Sequence, residues 1–427
     1  MKVSKYQVNN LNIYHIYTNK FKTIVAGVIF TAELTKMHLA EKVLLSSMLV
    51  KTCQKHQDEQ EYLKYLRGMY DTNIFADVAK RGKTLQIMFG SNIVNPRFLH
   101  EEVNLFEKTF TSLKETLLNP YLIEGKFSHE LLEKEKRLLI EEIEAQTNNK
   151  RLQAIVGLIN NMFAEETYQI YSGLRIDDVQ KVTIDSLTEA YYEMLNESCY
   201  GFVIGEAKEE KIKEVFQTLN ELTSKDKHFA YIDYEEKEII ETKEIFKEKE
   251  TSQSVLAMGF RTNIRLFEEL YYPMCVFNGM LGGFFHSTLT NEIREKSSLA
   301  YYIVSEYVPQ KGFLAITSGI NAKDYDQVKK TTLKIISEYQ QGKINNETLQ
   351  MTKESMINGI LEGDDSLLGL LNDIYRYAEH PNKVTDLKTR IKKIEEVTIE
   401  QIIVCAQSLT LDTIFLLKGT NQNEEIY

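Results

Sequence analysis

Val182-Thr183-Ile184-Asp185 opens a helical pattern that leads to Tyr200-Gly201-Phe202-Val203-Ile204-Gly205. The same plan returns 215 residues later, where Val397-Thr398-Ile399-Glu400 leads to Thr413-Ile414-Phe415-Leu416-Leu417-Lys418-Gly419. A second echo, Glu130-Leu131-Leu132 and Glu347-Thr348-Leu349, lies 217 residues apart. Two correspondences at nearly one offset, half of a 427-residue chain, indicate an internal repeat. Each copy mixes helices with alternating strands, so the expected fold class is α+β: a duplicated domain whose halves are each a mainly antiparallel sheet covered by helices. Facing each other as a clamshell, two such halves would enclose a cavity.

Outward from the repeat, the first half opens with strand-like runs at Leu11 to Tyr17 and Ile24 to Phe30. A helical pattern follows from about Leu34 to Cys53, with Met37, Leu44, Leu45, Met48 and Leu49 at helical spacing. Asp58 and Glu61 have the form of a capping box for a helix to about Met69. Two alternating strands join around Gly82, and beyond Pro96 and Pro120 come two helices, the second long and acidic from about Glu130 to Ala164. Between Ser224 and Gln253 the composition shifts to Lys, Glu and Asp, although Tyr231, Ile239, Ile240 and Ile245 suggest that part of this stretch docks as strand or helix. The expected organisation is therefore 1–222, a charged linker at 223–252, and 253–427.

Composition narrows the function. Hydrophobic content of 43% and charged content of 26% are those of an ordinary soluble protein. A net charge of −11 without a lysine/arginine cluster argues against nucleic acid as a partner. Cys53, Cys199, Cys275 and Cys405 are too far apart for a disulfide framework or zinc ribbon and read as reduced thiols. The start of the chain has no signal-like apolar segment and no run long enough to span a bilayer, so a cytoplasmic location is expected. A phosphate loop and a G-x-S-x-G elbow are both missing from the sequence, and the 24 tyrosines and 20 phenylalanines fall in apolar runs suited to core packing.

One stretch carries chemistry: Leu281-Gly282-Gly283-Phe284-Phe285-His286-Ser287-Thr288-Leu289-Thr290-Asn291-Glu292-Ile293-Arg294-Glu295-Lys296-Ser297-Ser298-Leu299-Ala300-Tyr301. A glycine pair closes an apolar segment, a short helix follows with Leu289 and Ile293 on one face, and an alternating run begins at Ala300. Arg294 and Tyr301 thus flank a helix-to-strand turn, where a guanidinium and a phenol can converge on a carbonyl oxygen or carboxylate. Spacing alone favours a surface arginine beside a core tyrosine.

The stretch resembles the second-half signature of the insulinase/pitrilysin-type peptidases with inverted zinc motif, in particular the bacterial members that work as two-chain pairs. The matched residues are Leu281-Gly282-Gly283, Ser287, Arg294-Glu295-Lys296 and Leu299-Ala300-Tyr301, and the resemblance covers nearly the whole chain. It implies that Arg294 and Tyr301 bind the carbonyl side of a scissile peptide and help stabilise the tetrahedral intermediate. It also suggests that an extended peptide adds as a strand to a sheet edge at Thr84 to Phe89.

The family's H-x-x-E-H helix grips zinc through two imidazoles one turn apart, with the glutamate as general base. Aligning the family's Met-Leu-Phe-Lys with Met48-Leu49-Val50-Lys51 puts Val43, Leu44, Leu45, Ser46 and Ser47 on that motif, so both histidines and the base are missing. Glu135 and Glu142 keep the family's seven-residue spacing, yet read better as an acidic solvated face. His38-Leu39-Ala40-Glu41-Lys42 is a near miss, five residues early and ending in lysine. The remaining histidines, His15, His56, His100, His129, His228, His286 and His380, show no ligand spacing. No metal site is expected in this chain. The resemblance implies zinc in a homologous partner chain, a peptide substrate and two catalytic contributions, Arg294 and Tyr301, that are silent without the partner. Unpartnered, the chain could form a homodimer. The competing readings are an inert peptide-binding scaffold and an autonomous peptidase built on His38 and Glu41.

Overall fold

The structure, a computed structural model, describes residues 3–99, 104–225, 237–380 and 382–420. His100, His228, Tyr231 and the centre of the expected linker lie outside the described residues. Among the described residues, two sheets account for the strands. The first contains β1 (Val3–Val8), β2 (Leu11–Ile16), β3 (Thr23–Glu33), β4 (Asn73–Arg81), β5 (Thr84–Val94) and β6 (Ser198–Ile204), in the order β1-β2-β6-β3-β5-β4. The second contains β7 (Lys243–Lys249), β8 (Ser254–Arg261), β9 (Ala300–Val308), β10 (Phe313–Ile320) and β11 (Thr410–Gly419), in the order β7-β11-β8-β10-β9.

With β1 set aside, the two orders superimpose. β6 runs parallel to β2 and antiparallel to β3, as β11 does to β7 and β8. All other pairs are antiparallel, as expected for an α+β duplication. The repeated Val-Thr-Ile sequence has a physical basis. Thr183 caps helix Ile184–Leu195 in a reciprocal box with Ser186, and Thr398 caps helix Ile399–Gln407 in a reciprocal box with Gln401. Each helix then delivers the chain into the central strand β6 or β11. β3 is buried almost from end to end, and its Val, Ile and Phe residues suit a strand covered on both faces. Gly27 and Gly90 face each other across β3 and β5, where a Cβ on Gly27 would lie 2.1 Å from the Phe89 carbonyl oxygen. The stretch expected as a linker contributes β7, an edge strand paired with β11.

The chain forms two compact units that are not contiguous in sequence. One comprises residues 1–143, 174–231 and 363–386, the other 144–173, 232–362 and 387–427. Helix Lys150–Met162, from the first half of the sequence, packs on β8, β10 and β11, while helix Leu367–Glu379, from the second half, packs on β2 and β6. Each unit therefore completes its sheet cover with a helix borrowed from the other repeat. The long helix expected from Glu130 is two helices, His129–Asn148 and Lys150–Met162. Asn149 divides them: its backbone is extended and its side chain accepts the Leu152 N–H at 3.1 Å, an N-cap that starts the borrowed helix. Ala154, Leu158 and Met162 then bury one face against Val255, Ala257 and Phe415. In the other unit Leu370, Leu371, Ile374 and Tyr375 do the same against Tyr14, Ile16 and Phe202.

The segment after the borrowed helix is held by buried charge. The Arg261 guanidinium donates to Asp412 and Glu166, both at 2.6 Å, and the Lys311 ammonium lies 2.5 Å from Glu166. Phe163 lies beneath both cations, 5.0 Å from Arg261 and 5.2 Å from Lys311. A cleft of ≈ 640 Å³ opens beside this quartet, with Thr262, Asn263 and Ser408 on its wall. Among the described residues no helix is long and apolar enough to cross a membrane.

Candidate functional site

In the second unit, helix Tyr271–Asn278 leads into a wider turn at Gly279–Gly283, and a second wide turn occupies Thr290–Lys296. Such i→i+5 windings are rare and concentrate at functional places. The glycines permit close approach to β9, since a Cβ on Gly282 would lie 2.8 Å from the Ser305 nitrogen. Leu281, Leu289 and Ile293 are fully buried in the core, which fixes the outward face of the same segment. Asn291 donates its side-chain amide to the His286 carbonyl at 3.1 Å and ties the Phe284–Ser287 turn to the helix. Phe285, on that turn, is almost wholly exposed.

The segment ends abruptly. Ser298 adopts a left-handed conformation (φ 50°), its N–H bonds to the Arg294 carbonyl, and the Leu299 N–H reaches back to the Ile293 carbonyl at 2.9 Å. Strand β9 starts two residues later and forms an edge of its sheet. In its register with β10, Tyr302 faces Gly319 and Ala300 faces Ile320, which leaves Tyr301 as the extra residue of a β-bulge. A bulge re-aims a side chain, and Tyr301 is 55% exposed on a strand whose one other exposed residue is Glu306. Its hydroxyl donates to Asn321 Oδ1 at 3.1 Å, and Asn321 Nδ2 donates to Asp324 Oδ2 at 3.1 Å. The Arg294 side chain is 43% exposed, with Nε 3.6 Å from Glu295 Oε1. Both residues thus face solvent on either side of one turn, the Tyr301 hydroxyl bonded to Asn321 and the Arg294 guanidinium beside Glu295. Tyr301 is not a core tyrosine.

The expected zinc-motif positions lie on helix Leu39–Leu49 in the first unit. Val43 has no ligand atom. Ser46 donates its hydroxyl to the Val43 carbonyl at 2.7 Å, and Ser47 donates to the Leu44 carbonyl at 2.9 Å, so both are spent on their own helix. Glu135 is not on a solvated face: it is only 5% exposed and accepts from the Lys51 ammonium at 2.6 Å. Lys51 also lies 3.5 Å from Glu59, which pairs with Lys134. Burial pushes the Glu59 carboxyl up, but Lys134 and Lys51 outweigh it and hold the group below its ordinary value. Glu142 is exposed. These residues do not fit zinc, because the one buried carboxylate is already neutralised by an ammonium and no imidazole stands on the helix face. His38 starts this helix with a left-handed backbone and its Nδ1 lies 2.9 Å from Glu193, so it is engaged with a carboxylate other than Glu41. Among the described residues, no three His, Cys, Asp or Glu side chains gather as a metal site.

The edge expected at Thr84 to Phe89 requires correction. Those residues belong to β5, which pairs with β3 on one side and β4 on the other, so its N–H and C=O groups are already used. The edge of that side of the sheet is β4. Sequence reasoning also missed Asn321 and Asp324. Their only signal is a polar Asn-Ala-Lys-Asp run closing a strand, which reads as an ordinary turn.

Comparison with known proteins gives one consistent result. Residues 181–356 match the family described as the peptidase M16 inactive domain. The chain is 29% identical over 412 residues to a probable inactive metalloprotease, YmfF, of Bacillus subtilis, covering 96% of each chain. It is 25% identical over 243 residues, 55% of this chain and 57% of the relative, to an uncharacterized zinc protease, YmxG, of the same organism. A solved structure of a conserved protein from Enterococcus faecalis is similar over 99% of this chain and 100% of that one, with a TM-score of 0.93 and 26% identity.

Proposed function

We propose that this chain, which belongs to the peptidase M16 family as a member without its zinc motif, is the non-zinc subunit of a two-chain peptidase. It supplies Arg294 and Tyr301, and half of a substrate chamber, to a homologous chain that carries the zinc. The observation behind this reading is an asymmetry. The Arg294/Tyr301 turn is built with care, on a left-handed residue and a β-bulge, and both side chains face solvent. On the helix where the family carries its metal, by contrast, the hydroxyls are spent internally and the nearby carboxylate is paired with Lys51.

Metal chemistry belongs to the partner in this reading. The work of this chain is to bind and orient the peptide: the Arg294 guanidinium donates to the carbonyl oxygen as negative charge develops there, with Tyr301 beside it on the backbone. Substrates are peptides or unfolded segments, and the complex works in the cytoplasm. The test is reconstitution with a co-purifying homologous zinc-bearing chain, measuring peptide cleavage and complex formation separately. The single chain cleaves nothing, the pair does, and Arg294→Ala lowers turnover while the pair still assembles. A second reading, an inert peptide-binding scaffold, draws on the relative named a probable inactive metalloprotease. It requires assembly with no dependence of cleavage on Arg294.

A further inference from the structure

Thr84 and Gln86 stand two residues apart on β5 and therefore on one face of the first sheet. Arg81 lies directly across from Thr84 on β4, and Thr31 directly across from Gln86 on β3. Thr84 and Gln86 are each 1% exposed. The Thr84 hydroxyl, both ends of the Gln86 amide and Arg81 Nε are buried, and none of them has a hydrogen-bond partner among the described residues. Thr31 does not serve them as a donor, because its hydroxyl proton goes to the Ser198 carbonyl at 3.3 Å. Buried polar groups are nearly always paired, so neighbours in register that do not reach one another call for something that bridges them.

Charge decides what that is. The Arg81 guanidinium stacks on the Tyr375 ring, 4.4 Å from its centroid, and Nη2 donates to Asn372 Oδ1 at 2.8 Å. Both partners are neutral. Arg81 forms no ion pair among the described residues, and Asp77 and Glu33, which lie on the same face of β4 and β3, are exposed. The guanidinium stays protonated at every physiological pH, so the patch carries a positive charge beside unpaired donors. We infer that Arg81, Thr84 and Gln86 form a buried binding site for a small monovalent inorganic anion of chloride size. Arg81 Nε, the Thr84 hydroxyl and the amino end of the Gln86 amide donate to it. A water molecule in the same place would satisfy donors without compensating the charge. The depth of the three groups suits an ion without an organic body. The site adjoins the turn at Gly82 that joins β4 to β5, and β4 is an edge strand. An arginine held inward by an anion keeps that edge from offering a flat strand to other chains. The site goes beyond the proposed function and asks nothing of Arg294 or Tyr301.

The test uses the full chain. Its melting temperature is measured in sodium chloride and in sodium gluconate at equal ionic strength, and crystals soaked in sodium bromide are measured by anomalous diffraction. Chloride raises the melting temperature along a saturable curve that gluconate does not reproduce, as a ligand of the native state does. Bromide gives an anomalous peak within hydrogen-bond reach of Arg81 Nε and Gln86 Nε2. Arg81→Met weakens the apparent chloride affinity by about tenfold or more, the worth of a charged hydrogen bond, and Thr84→Val weakens it by about three- to tenfold. Equal melting in the two salts overturns the inference. So does a chloride effect that survives in full in both variants, which places the ion elsewhere. A bromide peak at the patch without any chloride-dependent stability marks an adventitious ion only and overturns it as well, and a patch without anomalous signal does the same. The diffraction measurement is made on the wild type, so a variant that does not fold leaves the inference open to refutation.

Discussion

Lys51→Met removes the ammonium beside the buried Glu135 carboxylate and keeps most of the aliphatic stem. Glu135 is 5% and Lys51 21% exposed, at 2.6 Å. Breaking a fully buried pair by deleting one partner costs ~3–5 kcal/mol, whereas exposed pairs are worth ~0–1 kcal/mol. With Lys51 about a fifth open to solvent and Lys134 nearby on Glu59, about 2 kcal/mol is expected. For a unit of this size that corresponds to a melting temperature lower by about 4–8 °C at neutral pH, measured by circular dichroism.

The pH dependence of Lys51→Met has a definite sign. Glu59 is pushed up by burial and held below its ordinary value by Lys134 and Lys51, which outweigh burial. A carboxyl depressed in the folded state stabilises fully above its unfolded value, and that stability is lost as pH falls through the depressed value. Without Lys51 the depression shrinks, so the acid-side loss begins at higher pH. Added zinc raises the melting temperature of neither protein, whereas a metal bound to the native state would raise it. Unchanged stability in Lys51→Met would refute the ion pair as the occupant of this place, and a zinc-induced rise in the wild type would refute the degenerate metal site.

Glu166→Gln removes the carboxylate that faces both Arg261 and Lys311 and is expected to cost ~3–5 kcal/mol in urea unfolding; a loss under about 1 kcal/mol would contradict the role of the quartet. Burial pushes Glu166 up, but Arg261 and Lys311 hold it below its ordinary value, so its contribution is present above the usual carboxylate range and is lost as pH falls through the depressed value. Ser298→Gly relieves a left-handed backbone and should stabilise by about 0.5–1 kcal/mol, whereas Ser298→Val should destabilise; equal effects in thermal unfolding would show that the turn carries no strain.

Duplication was legible because both copies use the same local device, a threonine cap feeding a buried strand, and capping chemistry is written in adjacent residues. The exchange of helices was not. The periodicity of Lys150–Met162 says which face is buried, but nothing in it says which sheet lies opposite, and the Asn149 break is one polar residue in a polar run. The misplaced edge at Thr84 to Phe89 has the same origin, since alternation marks a strand without telling how many neighbours it has. The signature stretch stood out through its glycines and its Arg294 and Tyr301. What re-aims Tyr301 is a one-residue register slip against β10, and the partner of its hydroxyl lies twenty residues on, at Asn321. Glu135 was misread because its partner, Lys51, is distant in sequence.

The most direct measurement of the central claim is turnover of a peptide by the reconstituted pair carrying Arg294→Ala here and an intact zinc motif in the partner, with complex formation quantified in the same samples. Loss of one preorganised donor at a developing oxyanion predicts turnover lower by ~10²- to 10³-fold with assembly unchanged. Wild-type turnover in the assembled variant, or peptide cleavage by this chain alone, would contradict the account.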